Sequence, residues 1–199
     1  MIALWPEFAM RWGQMGLALV PGTLAGTVGE AEAAAEAHGL PIAVRPLSPT
    51  GEYCAILADH AADVELAFNR ARSQSPDGRV IVQKHLPWPV LMIAATRAEH
   101  AWNVLEPVLV GLLPKYALTP IEFTCPAGLE PDIATRLRRC VADALAHMHQ
   151  VPHAAVFEFA FTPLGLVAVF ARDVRALDAP LHCVTDLAQR QGGACLRYL

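Results

Sequence analysis

A chain of 199 residues with 54% hydrophobic and 17% charged side chains is long enough for one domain, or two small lobes, with a sizeable buried core. Its net charge of -4 excludes the basic surface that neutralises nucleic-acid phosphates, so no nucleic-acid partner is expected. The longest apolar runs, residues 104–113 and 151–161, are broken by Glu, Pro or His and fall short of the roughly 20 residues that span a bilayer, so no membrane is expected either. Residues 1–7 carry no basic segment and no small-residue cleavage site, and the expected compartment is cytoplasmic.

Residues 8–19 predict a short amphipathic helix that gives way at Val20-Pro21-Gly22. A second helix starts at Thr27, with Glu30 three residues on as its capping-box partner, and stops at His38-Gly39 before Pro41. Residues 40–46 predict a short buried strand ending near Arg45, and residues 53–57 its return after a turn at 48–51. A helix over 59–73, a turn at 75–78 and a strand over 79–86 complete an α+β lobe. After Pro87, strands are expected at 90–96 and 101–110, then an irregular proline-containing stretch to Pro126. The long helix that follows is marked by Pro131 in its first turn, by Glu130 and Asp132 at its positive end, and by Ile133, Leu137, Val141, Leu145 and Met148 at helical spacing. Residues 154–161 and 166–170 predict a hairpin, and residues 184–191 a last helix before a short tail. The domain reading is residues 1–86 for one lobe and 87–199 for the other.

Five cysteines without CxxC spacing fit neither a disulfide framework nor a structural zinc site. His147, His149 and His153 invite a metal, but on a continuing helix 147 and 149 point about 200° apart. Buried thiols and ordinary histidines are the simpler reading.

Several stretches, in colinear order, resemble one family. Residues 16–23, Glu30-Ala31 and residues 38–46 are similar to the opening of the ATP-grasp lobe of biotin carboxylase and carbamoyl phosphate synthetase. Residues 80–86 resemble the hinge strand of those enzymes, residues 126–132 the stretch ahead of their metal strands, and residues 154–165 their "gtfEFlf..nG". The likeness runs from about Phe8 to Asp173. It implies an α+β, ATP-grasp-like fold of two lobes around a cleft.

The resemblance also implies a site, to be checked residue by residue. Arg45 stands where the family has a cation for ATP phosphates, and an arginine can make bidentate phosphate contacts; pairing with a carboxylate at a strand end is its plain alternative. Gln83, Lys84, His85 and Leu86 occupy the adenine hinge, whose backbone does the binding, so Arg45, Gln83, Lys84 and Leu86 are the candidate nucleotide-binding residues. The phosphate-closing loop would be residues 47–52, yet that segment has one glycine, a proline without an N–H donor and an acid that repels phosphate. Glu158 matches the first magnesium carboxylate, and an acid in an apolar strand is costly unless partnered. At the second carboxylate stands Ala171, and Asp173 falls where the family has Asn, so Glu158 and Asp173 are the candidate metal ligands. Arg172 or Arg175 is an alternative partner for Glu158. By the resemblance, residue 1 is expected to fall at about the start of the grasp lobe, without the family's preceding N-terminal domain.

No catalytic residue is assigned. The leading expectation is an ATP-grasp-like protein that has lost ligase catalysis and acts as an interaction, scaffold or accessory subunit, with a protein partner or a second copy. Trp5, Trp12, Trp88 and Trp102 are candidates for the exposed apolar patch such a role needs. The alternatives are a nucleotide-binding protein, or an ATP-dependent carboxylate–amine ligase completed by a partner chain. ATP and Mg are the cofactors the resemblance implies.

Overall fold

The computed structural model describes residues 4–47, 55–98, 101–115, 117–125, 127–149, 153–163, 165–173 and 194–197. The chain forms two compact units, Val20–Pro87 with Leu112–Thr119, and Ile2–Leu19 with Trp88–Gly111 and Pro120–Leu199.

The first unit is an antiparallel sheet under two helices. Strands β1 (Gly22–Ala25), β2 (Ile42–Pro46), β3 (Ala55–Ala58) and β4 (Val80–Lys84) are ordered β1-β4-β2-β3. The start of a later strand, at Ala117 and Leu118, closes on β3. Helix α1 (Leu4–Gln14) belongs to the other unit; α2 (Val28–His38) and α3 (Val64–Ser73) pack here. Helix α2 begins as its sequence dictates: Thr27 accepts from the Glu30 N–H, and Glu30 Oε2 accepts from the N–H of Thr27. One apolar layer joins helices to sheet. Ile42 and Val44 of β2, Ile56 and Ala58 of β3, and Val80 and Val82 of β4 alternate onto the same face and meet Phe68, Ala31 and Ala35.

The second unit has strands β5 (Val90–Ala98), β6 (Ala101–Val104), β9 (Ala154–Thr162) and β10 (Gly165–Asp173), with β9 central between β5 and β10. Strands β7 (Val108–Lys115) and β8 (Ala117–Cys125) carry the chain from one unit into the other and back. Within this unit β7 pairs with the start of β5, β6 with its end, and β11 (Ala194–Arg197) with the end of β8. Helices α1 (Leu4–Gln14) and α4 (Pro131–Ala146) complete it.

Several elements differ from the sequence expectation. Helix α1 starts four residues before residue 8 and ends at Gln14, because Trp5, Phe8 and Trp12 form one apolar stripe at i, i+3 and i+7. These rings pack on Phe170, Phe157 and Phe159, with centroids 5.8, 4.7 and 5.2 Å apart. Trp5 and Trp12 are therefore core residues and no partner patch, whereas Trp88 is exposed. The strand expected over 101–110 breaks at Leu105–Pro107, where Pro107 lacks a ladder donor, and β6 and β7 pair with different halves of β5. The stretch to Pro126 is mostly strand, and a short strand, β1, begins at Gly22 where the turn at Val20-Pro21-Gly22 is expected. The expected helix over 184–191 and the turn at 48–51 lie outside the described residues.

Candidate functional site

In the first unit, two-residue alternation sorts the candidate residues onto opposite faces. Arg45 sits opposite Ile81, and Ala43 opposite Gln83, so Arg45 and Gln83 are diagonal neighbours on the face turned away from α2 and α3. Both are buried, at 4% and 1% exposure. Gln83 also lies across from Gly22 and donates to the Val20 carbonyl at 3.4 Å. A Cβ on residue 22 would come within 2.9 Å of Ile81 and 3.0 Å of Gln83, so glycine there is what lets β1 close over this face.

Lys84 goes the other way. It pairs with Ile42, a residue of the helix-side core, and its ammonium donates to the carbonyls of Gly39 at 2.9 Å and Leu40 at 2.6 Å. Those carbonyls follow the C-terminus of α2, where a cation meets the negative end of the helix dipole. The structure thus brings Arg45 and Gln83 together and separates Lys84 from them. Leu86 follows β4 and is half-buried, and the amide of His85 extends the ladder by donating to the Pro41 carbonyl at 3.0 Å.

His85 is the residue in this stretch whose environment the sequence does not disclose. Its pKa is held below the ordinary imidazole value of 6.5, first by burial and then by the charge of Arg45, with Lys84 adding to the effect and Asp59 opposing it. Below pH 6.5 the unfolded chain therefore binds a proton that the folded chain resists. Stability attributable to His85 is full above pH 6.5 and is lost as pH falls toward the lower folded value. Denaturation midpoints followed from pH 8 to pH 5 should show this slope, and His85→Gln should flatten it.

In the second unit the decisive feature is the register of β9 and β10. From the turn, Gly165 pairs with Thr162 and Ala168 with Phe159; beyond it, Phe170 pairs with Glu158, Ala171 with Phe157, Arg172 with Val156 and Asp173 with Ala155. One extra residue, Val169, is accommodated as a bulge. A one-residue shift exchanges the two faces of a strand. Beyond the bulge Arg172 pairs with Val156, two residues from Glu158, while the Phe170 ring lies with Phe157 and Phe159 against the α1 stripe. Phe170, beside the bulge, reaches Trp5. Glu158 and Arg172 are 1% and 2% exposed, in the middle of β5-β9-β10 with Met92 across from Glu158 on β5. The register thus pairs Glu158 with Phe170, Arg172 with Val156 and Asp173 with Ala155.

The candidate magnesium ligands are Glu158 and Asp173. The ion takes near-octahedral oxygen coordination, and in the β9–β10 register Asp173 pairs with Ala155, three positions from Glu158. Among the described residues no group of three or more His, Cys, Asp or Glu is placed to hold a metal. His147 bonds through Nδ1 to the Asp143 carbonyl, and His149 through Nε2 to Arg11. The candidate phosphate loop beyond Leu47 and the alternative partner Arg175 lie outside the described residues.

The arrangement of strands and helices matches known structures over most of the chain. Biotin carboxylase from Campylobacter jejuni superposes with a TM-score of 0.64 at 18% identity, over 92% of this chain and 43% of that one. The biotin carboxylase domain of the 2-oxoglutarate carboxylase of Hydrogenobacter thermophilus gives 0.65 at 14% identity, over 86% and 39%. The N5-carboxyaminoimidazole synthase of Aspergillus clavatus gives 0.60 at 11% identity, over 85% and 44%. The fold is ATP-grasp-like. No protein-family model and no curated protein matches the chain. This ATP-grasp-like chain spans less than half the length of those structures, and at these identities the likeness concerns the α+β fold. No helix among the described residues is long and apolar enough to cross a membrane.

Proposed function

We propose that this chain is an ATP-grasp-like protein without magnesium-dependent ligase catalysis, serving as an interaction or accessory subunit. The observation that carries this reading is the β10 register. In this register the residue two positions along β10 from the partner of Glu158 is the basic Arg172, which supports an ion pair in place of a second metal carboxylate. We take Arg172 as the counter-charge of Glu158, filling the electrostatic role of an ion. A buried carboxylate must be partnered in some way; a permanent cation in that role removes the need for a metal and also the acid pair that phosphoryl transfer requires.

A second reading is favoured by the first unit, where Arg45, Gln83 and the neutral His85 cluster around one buried sheet face. The Campylobacter relative was solved with a β,γ-ATP ligand, and the Aspergillus one with ADP and 5-aminoimidazole ribonucleotide. On this reading the chain holds a nucleotide without turning it over, and a partner chain would have to restore any ligase activity. The Hydrogenobacter domain is a dimer, which makes a second copy of this chain a natural partner. Free Cys125 and half-buried Cys140, whose thiols are both pushed up by burial, suit a reducing, cytoplasmic compartment.

Isothermal titration with ATP and with ADP, each with and without magnesium, tests the proposal. Binding that is absent, or indifferent to magnesium, is the expected result. Magnesium-dependent binding that weakens in Glu158→Gln would overturn it.

A further inference from the structure

A groove within the second unit has no part in the readings above. It lies between the β5–β6 hairpin and the last turns of α4, holds about 400 Å³, and is lined by Arg97, Trp102 and Asp143 together with the apolar Ala101, Ala142 and Leu145. That volume falls in the range of small-molecule sites. Arg97 and Trp102 are directly paired across the hairpin, so both side chains leave the same face of the sheet, and Asp143 comes from the helix opposite.

The charges on the two walls are opposite and do not satisfy each other. Among the described residues the Arg97 guanidinium forms no hydrogen bond or ion pair, and the Trp102 indole N–H has no acceptor; the Arg97 bond is made by its main-chain N–H to the His153 carbonyl. The counter-charge of Asp143 is Arg139, 4.0 Å away, with the two side chains 56% and 84% exposed, a contact that contributes little. The C-terminal carbonyls of α4 add negative potential on the side of Asp143.

We propose that this groove binds a free amino acid with an apolar side chain. Its carboxylate meets the guanidinium of Arg97, a fork that suits carboxylates. Its ammonium meets Asp143 and the negative end of α4, and its side chain lies against the Trp102 ring and the alanines. A simple carboxylate or a simple amine satisfies one wall and leaves the other charge unmatched, so the groove selects a zwitterion.

The test is titration of the full chain with phenylalanine, N-acetylphenylalanine and phenylalanine amide, followed by calorimetry. Phenylalanine should bind saturably, and each blocked derivative should bind at least roughly tenfold more weakly, the factor expected for losing one charged hydrogen-bonded contact. Arg97→Met should abolish the penalty for the amide, and Asp143→Asn the penalty for the N-acetyl compound. Arg97 and Asp143 are exposed, so both variants should keep the wild-type circular dichroism spectrum. No saturable binding of phenylalanine, equal binding of all three compounds, or unchanged selectivity in both variants would overturn the assignment.

Discussion

Replacing Glu158 alone by leucine is expected to cost about 3–5 kcal/mol of stability, and replacing Arg172 alone by leucine a similar amount, because each removes the proposed counter-charge of a group buried in a strand. The double variant should recover most of that loss, since two apolar side chains of comparable volume satisfy the interior where an ion pair did. Both residues are essentially without solvent contact, so screening by water does not dilute the effect. Chemical denaturation of the four proteins gives the coupling energy directly. Additive losses would mean that Glu158 and Arg172 answer to different partners, and the proposed replacement of a metal by an arginine would fail.

Phe157→Ala is expected to lower stability by a comparable amount, about 3–5 kcal/mol. Phe157 has no solvent exposure and its ring lies 4.7 Å from that of Phe8, at the centre of the stripe by which α1 covers the strand pair. Removing it opens a cavity under the helix that the neighbouring rings of Trp5 and Trp12 are too rigid to fill. For a chain of this size such a loss corresponds to a fall of very roughly 6–20 °C in the thermal midpoint. Phe161 is on the same face of β9 but is exposed, and Phe161→Ala should change the midpoint far less.

These two sites show which parts of the molecule can be read from the chain and which cannot. Helix α2 announces itself through Thr27 and Glu30, whose side chains act within three residues of each other, and β9 through strict apolar alternation around one acid. Both signals are local. Strands β7 and β8 are hidden by Pro114 and Pro120, which read as breakers, and β1 by its brevity and its leading glycine. The aromatic stripe of α1 is missed when the helix is started at Phe8, because Trp5 then falls outside the period and looks like surface.

The site divides in the same way. That Arg45, Gln83 and Glu158 are buried polar residues on strands follows from apolar sequence on either side of each. Which residue of β9 pairs with Arg172 does not follow, since it depends on one extra residue at Val169, in a run of good strand formers that carries no turn signal. The same holds for Lys84, whose bonds to Gly39 and Leu40 depend on where α2 ends relative to β4. Arg97, Trp102 and Asp143 are distant in sequence, and only the packing of α4 on β6 puts them around one groove.

The most direct test of the central claim is manganese titration followed by electron paramagnetic resonance, with Mn²⁺ standing in for magnesium and the free-ion signal reporting what is bound. Mn²⁺ is expected to stay free in the presence of the folded protein, alone or with ADP beyond what ADP itself chelates. A stoichiometric protein-bound signal that disappears in Glu158→Gln would contradict it, and would show that the Glu158 face still belongs to a metal.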